Sequence, residues 1–411
     1  MVVFISDVSR LYSDRAGKMR KSVIRELLKV TQDPEIISFA GGLPNPRSFP
    51  IKELEGILDY VIENHGPVAL QYGTTQGLTY LREAIAERSH KDGIDATAEN
   101  IVIMSGSQQA LDTVGKIFLN PGDTAICGLP TYLGGINAFR SYEGNLQGIP
   151  LDEDGMRVDI LEEKIKELLK NEITPKFIYT VPTFQNPAGV IMPESRRKEL
   201  INIANEYDLV IVEDDPYAKL RYDSQPVKPI KAFDDEGRVI YMSTFSKILS
   251  PGFRLAWTIA SPELTRKMII CKQALDLCTN TFTQFLAYEF MRRGSLDLHI
   301  MKICELYKPK RDIMMDAMKK YFPEGYTCYR PKGGMFAWPT LPEGIDTETM
   351  FLDSIKEKVA YVHGKAFHVD GGGDHSMRLN FSYSTNEQIE EGMSRLGNVI
   401  KKKLEKEKVI L

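Results

Sequence analysis

Short apolar runs alternate along this chain with longer segments whose apolar residues recur every three to four positions. IVIM (101–104), TAICG (124–128), FIYTV (177–181), LVIVED (209–214), RVIYMS (238–243) and LAWTIA (255–260) are β-branched or aromatic-rich and bounded by Gly, Pro or Asp. Continuous apolar runs of this length predict strands buried on both faces, as in a mainly parallel sheet. Between them, QQALDTVGKIF, DILEEKIKELLK and PESRRKELINIANEY place apolar residues on one helical face. Alternation on this scale predicts an α/β fold with helices on both sides of the sheet.

From about residue 262 the pattern changes to long helices, through KMIICKQALDLC and DLHIMKICELYKPKRDIMMDAMKKYF. A smaller α+β region follows, with strands expected around GGMFAWP (333–339), VAYVHG (359–364) and MRLNFSY (377–383), then a helix from Asn386 into a lysine-rich end. GKMRKSVIRELLKV (17–30) reads as a basic amphipathic helix, a latch on the body. The expected organisation is a large domain over 46–299, with 1–45 and 300–411 forming an N-terminal arm and a smaller domain.

A chain of 411 residues with 43% hydrophobic and 26% charged residues can bury a sizeable core. The net charge of −4 implies no nucleic-acid partner. No apolar run has the length of a membrane span, and MVVFISDVSR lacks a signal-peptide pattern. Cys127, Cys271, Cys278, Cys304 and Cys328 form no C-x-x-C pair and suit reduced thiols in a cytoplasmic protein. His363 and His368 have no third ligand near them in sequence, so no metal is expected.

Ligands of a doubly wound sheet gather outside the carboxyl ends of its strands. Lys247 follows RVIYMS, Asp214 ends LVIVED, Asn186 follows FIYTV, and SGSQQ (105–109) follows IVIM. One at a time these are ordinary turn or capping residues. Together they match the needs of pyridoxal 5'-phosphate: a lysine amine for its aldehyde, a carboxylate beside its ring nitrogen, and hydroxyls, helix N–H groups and an arginine for its phosphate. STFSKILSPGFR (243–254), EDDPY (213–217) and FQNPAG (184–189) jointly resemble the fold type I pyridoxal-phosphate-dependent aminotransferases. SFAGGLPNP (38–46) and RPKGGMFAW (330–338) narrow the resemblance to the branch holding 2-aminoadipate and kynurenine aminotransferases.

The resemblance covers nearly the whole chain and implies a role for each matching residue. Lys247 carries the cofactor as a Schiff base and shuttles the substrate proton; Asp214 pairs with the ring nitrogen; Asn186 and Tyr217 hydrogen-bond the ring's phenolate oxygen. Tyr132, in GLPTYLGG, stacks on the ring, with a plain core aromatic as the alternative. Ser107, Gln108, Thr244, Ser246 and Arg254 hold the phosphate, and Tyr72, in LQYGTTQG, reaches the phosphate of a neighbouring subunit, implying a homodimer with shared active sites. Arg378, within FHVDGGGDHSMRLNFS (367–382), holds the substrate α-carboxylate, and Gly41 and Gly42 let the backbone approach the substrate.

Ser22 and Arg25, in SVIRELLK, resemble positions that read a distal carboxylate; a solvated helix arginine is the alternative. The expected substrates are therefore an amino acid (2-aminoadipate, or an aromatic one such as kynurenine or tyrosine) and a 2-oxo acid, with 2-oxoglutarate as acceptor. A branched-chain aminotransferase and a lyase on the same fold remain open. A regulator joining such a domain to a DNA-binding head is disfavoured because SFAGGLP begins at residue 38, and a nicotinamide dehydrogenase because no strand leads into G-x-G-x-x-G.

Overall fold

The structure, a computed structural model, describes residues 8–19 and 33–410. Ser22, Arg25 and most of the helix expected over 17–30 lie outside the described residues. All six expected strands of the large sheet form. Its eight strands run in the order Ile101–Met104, Ala256–Ile259, Val239–Thr244, Val210–Asp214, Phe177–Thr180, Thr124–Leu129, Asn145–Asp152 and Gly155–Met156. The ladders from Val239–Thr244 to Asn145–Asp152 are parallel, and Ala256–Ile259 runs antiparallel to both of its neighbours. The central strands are apolar on both faces, and both faces are packed against other elements. Along Phe177–Thr180, for example, Ile178 packs with the helices Val158–Lys170 and Glu194–Glu206, while Phe177 and Tyr179 face the other side, against Phe139.

Two elements depart from the pattern. Asn145–Asp152 is a strand that the hydropathy pattern does not show. Its residues NLQGIPLD include Gly148, Pro150 and polar side chains, and only Ile149 is fully buried, because the strand lies near the sheet's edge. The helix expected through KMIICKQALDLC spans Pro262–Gln273 and stops short of Cys278. Leu277 has φ +61 and Cys278 N–H bonds Asp276 O, so the chain turns here.

The smaller region pairs Phe336–Ala337 and Val362–His363 antiparallel to either side of Met377–Asn380. Ile37–Ser38 lies parallel to Val359–Ala360, tying the early chain to this region. The helix Ser295–Tyr321 carries Pro309 in its interior and packs along Asn386–Ile410. No described helix is long and apolar enough to cross a membrane.

Candidate active site

Parallel strands ending on one side leave a row of loops at their carboxyl ends, and a cleft of about 680 Å³ opens there. Glu213, Asp214 and Asp215 are three consecutive buried acids. The strand's two-residue period sends the first and third away from the middle one. Glu213 accepts the Ile230 and Lys231 N–H groups at 2.8 and 2.9 Å with the buried Arg197 beside it, and Asp215 accepts from the Tyr241 hydroxyl at 3.1 Å. Asp214 faces the cleft. Its Oδ2 accepts from the Tyr179 hydroxyl at 2.9 Å, and its buried Oδ1 has no partner. Burial pushes the Asp214 carboxyl up to about 7, with the Tyr179 bond opposing. Such a carboxyl is poised to take a cationic N–H.

Tyr179 was not among the residues the sequence pointed to. The available signal was a tyrosine in an otherwise apolar buried strand, whose hydroxyl must find a partner. Its ring packs edge-on against Phe139 and tightly over Gly135, where a Cβ would lie 2.8 Å from the ring. Glycine at 135 therefore lets the ring reach Asp214.

Lys247 lies in the turn after Val239–Thr244, and its Nζ donates to Gly42 O at 2.8 Å. Burial, then the charges of Arg378 and Arg254, bring its pKa down to about 8, so a neutral amine is accessible near neutral pH. Thr244 Oγ1 lies 2.9 Å from Leu255 O and from Ser246 Oγ and accepts the Ser246 N–H at 3.0 Å. Thr244 thus fixes the turn that presents Ser246 and Lys247.

Met104 leads through Ser105 and Gly106 into the helix Ser107–Phe118. The N–H groups of a helix's first turn have no partner within the helix and favour an anion. Gly106 has φ +89, and a Cβ there would lie 2.2 Å from an Arg254 guanidinium nitrogen. The left-handed backbone favours glycine here, and a side chain would have to push the Arg254 guanidinium aside. The Ser107 hydroxyl is buried without a partner, whereas the exposed Gln108 side chain donates to Gly134 O at 3.1 Å.

At the other end Arg378 is buried. It donates to Asn186 Oδ1 at 3.0 Å and Ala40 O at 2.8 Å, while its Nε has no partner. Its guanidinium lies 4.3 Å from the Phe336 ring centre and 5.0 Å from that of Phe367. Burial pulls its pKa down to about 10 without removing its charge at neutral pH. The other end of the Asn186 amide donates to Tyr217 Oη at 3.0 Å, and burial raises the Tyr217 phenol. The Asn186–Pro187 peptide is cis.

Of the remaining residues named from the sequence, Tyr132 and Gly42 line the cleft and Gly41 is buried next to it. A Cβ on Gly42 would touch the Phe336 ring at 3.4 Å, an ordinary contact. Tyr72 is 81% exposed and lies outside this chain's own cleft. Leu43, Leu133 and Phe336, which stand in the quoted motifs without an assigned role, also line the cleft, as does Asn137. Among its described lining residues the charges are Asp214, Lys247, Arg254 and Arg378, a balance suited to a ligand bearing anionic groups. An unpartnered acceptor on Asp214, a left-handed glycine turn under Arg254 and a lysine with lowered pKa fit pyridoxal phosphate.

Residues 51–396 match the sequence profile of the family described as aminotransferase class I and II. The chain is 51% identical to aromatic-amino-acid aminotransferase 1 of Thermococcus litoralis, covering 97% of this chain and 96% of that one. It superposes on the crystal structure of Pyrococcus horikoshii kynurenine aminotransferase with TM-score 0.94 at 51% identity, covering 97% and 99% of the two chains. The α-aminoadipate aminotransferase of Thermus thermophilus, solved with N-(5'-phosphopyridoxyl)-L-leucine, gives TM-score 0.89 at 37% identity, covering 97% and 99%. The chain belongs to the class I and II aminotransferases, enzymes of fold type I that work with pyridoxal phosphate.

Proposed function

We propose that this aminotransferase takes its amino group from an aromatic amino acid and passes it to 2-oxoglutarate. The observation that carries the choice of donor is the cleft's composition. Leu43, Leu133, Tyr132 and Phe336 line it, and each of its three described cations already has a task. A distal carboxylate needs a further cation. Arg25 is the candidate for a second reading, 2-aminoadipate as donor, which the kinship to the Thermus enzyme supports.

When bound, pyridoxal phosphate supplies an aldehyde carbon for a covalent link to an amine and an electron-poor ring that takes charge from the α-carbon. The unpartnered Asp214 Oδ1 would hold the proton on the ring nitrogen, and Tyr179 keeps Oδ2 occupied so that the carboxylate stays oriented. Asn186 and Tyr217 would donate to the ring's phenolate oxygen, and Tyr132, which lines the cleft, would lie against the ring. The Ser107 and Gln108 N–H groups, Ser246 and Arg254 hold the phosphate, with Thr244 bracing the turn. The exposed Tyr72 completes that cradle in a second copy of the chain, forming a homodimer with shared sites.

Arg378 clamps the α-carboxylate. A fork fixed by Ala40, Asn186 and two aromatic rings orients the substrate before reaction. The Lys247 amine, buried in the cleft with a pKa lowered to about 8, would be the group that takes and carries the substrate's α-proton. Gly41 and Gly42 leave room for the substrate beside that amine.

A half-reaction panel tests the donor: add tyrosine, tryptophan, kynurenine, leucine, aspartate, glutamate and 2-aminoadipate separately to holoenzyme and follow bleaching of the bound cofactor's visible absorbance. Fast bleaching by the aromatic amino acids, unchanged in Arg25→Ala, is expected. Fast bleaching by 2-aminoadipate that Arg25→Ala abolishes, with slow aromatics, would move the assignment to the second reading.

A further inference from the structure

Lys272, in the last turn of the helix Pro262–Gln273, is wholly buried and lies outside the cleft's lining. Its ammonium donates to Gln109 Oε1 at 3.1 Å, Asp276 Oδ1 at 2.6 Å and Thr279 Oγ1 at 2.9 Å, which uses all three of its N–H groups. Each acceptor is also tied to the segment leading into the phosphate turn. Gln109 Oε1 accepts the Ser105 N–H at 2.7 Å, Asp276 Oδ2 accepts the Ser105 hydroxyl at 2.7 Å, and Thr279 Oγ1 reaches Ile103 O at 3.3 Å. The ammonium is thus the hub joining the end of one strand, the turn after it and the first turn of the following helix.

A buried ammonium is costly to desolvate, and an apolar side chain of similar volume would serve a helix end at less cost. What the charge secures is the conformation of Ser105 on one side of Gly106, whose φ of +89 and close approach to Arg254 leave little tolerance. We propose that Lys272 is a positioning residue for the cofactor phosphate: it locks the Ser105–Ser107 turn so that the N–H groups of Ser107 and Gln108 stay aimed at the anion. The inference rests on the proposed placement of the phosphate at this turn.

The test compares pyridoxal phosphate with pyridoxal, which lacks the phosphate, as ligands titrated spectroscopically into the full chain freed of cofactor. Wild type should prefer pyridoxal phosphate strongly. Lys272→Met should weaken pyridoxal phosphate roughly 10- to 100-fold, the range for removing a charged buried hydrogen bond, and leave pyridoxal unchanged. Ser105→Ala, a milder change that breaks one spoke, should weaken pyridoxal phosphate alone by a smaller factor, and it decides the matter if Lys272→Met does not fold. Equal losses for both ligands, or no loss for either, would overturn the proposal. Arg254→Met separates the two levels. If it loses the preference while Lys272→Met keeps it, the phosphate placement stands and Lys272 is only structural. If wild type shows no preference, both fall.

Discussion

Asp214 and Arg378 are both buried charged groups facing one cleft, yet the chain supports them in different ways. Asp214 ends a strand, and its partner Tyr179 comes from the adjacent strand, where the register pairs Tyr179 with Val212. Lys247, Arg254 and the Ser105–Ser107 turn likewise hang on strand ends of the same sheet. The end proposed to hold the cofactor is therefore set by sheet register, which cannot slip by one residue without turning every side chain to the wrong face. Arg378 is held by Ala40 from the early chain, Asn186 from the large sheet's loops, and Phe336 and Phe367 from the later part of the chain. The end proposed to hold the substrate is assembled from segments remote in sequence. A sheet-built end should govern cofactor affinity, and an assembled end should govern substrate affinity.

The largest effect ignores that division. Lys247→Ala removes the group that serves both ends, so steady-state transamination should fall by at least about 10²–10⁴-fold, as expected for losing a positioned acid–base group. Circular dichroism should match wild type. Substantial turnover in this variant would sink the mechanism.

Next, Arg378→Ala tests the assembled end. Truncating one partner of a buried charged pair costs roughly 2–5 kcal/mol, here expected in kcat/KM for every amino donor whatever its side chain. Cofactor affinity should hold. Arg378→Lys should recover little, because an ammonium cannot form the planar fork or stack between Phe336 and Phe367. A matching loss of cofactor affinity would break the separation between the two ends.

Tyr179→Phe tests the sheet-built end from the other side. Losing a hydrogen bond to a charged group costs roughly 1.5–3 kcal/mol, expected as weaker pyridoxal phosphate binding. The Asp214 carboxyl, freed of a bond that lowers its pKa, should hold its proton more tightly, so the loss of cofactor affinity on acidification should set in at a higher pH than in wild type. An elevated KM with unchanged cofactor affinity would contradict the placement of Tyr179.

The same division explains what the sequence made legible. Lys247, Asp214, Asn186, Arg254 and Arg378 stand in local motifs, and those motifs follow strand ends that hydropathy marks plainly. Tyr179 reaches Asp214 across 35 residues and Lys272 reaches Gln109 across 163, while Phe336 and Phe367 act through ring contacts with Arg378, so no local pattern announces their roles. The Asn145–Asp152 strand was hidden because only Leu151 and Asp152 pair with the short outer strand, and the stretch left open on that side tolerates Gly148 and Pro150. The helix expected through Cys278 ends early where Lys272 turns inward and Leu277 adopts a left-handed backbone, a tertiary demand that overrides helical spacing.

The smallest effect probes how far the two ends communicate. Lys247 titrates near 8 in the cofactor-free chain, chiefly through burial and then through the charges of Arg378 and Arg254. Only the neutral amine attacks an aldehyde, so the rate of pyridoxal phosphate capture should rise with pH and level off above about 8. Arg378→Met removes one neighbouring cation, which makes the ammonium easier to keep. The inflection should therefore move to higher pH, by under about one unit because burial remains the larger cause. Stopped-flow absorbance across the range measures it. An inflection that stays in place would mean that Arg378 acts on the substrate alone, with the cofactor end electrostatically independent of it.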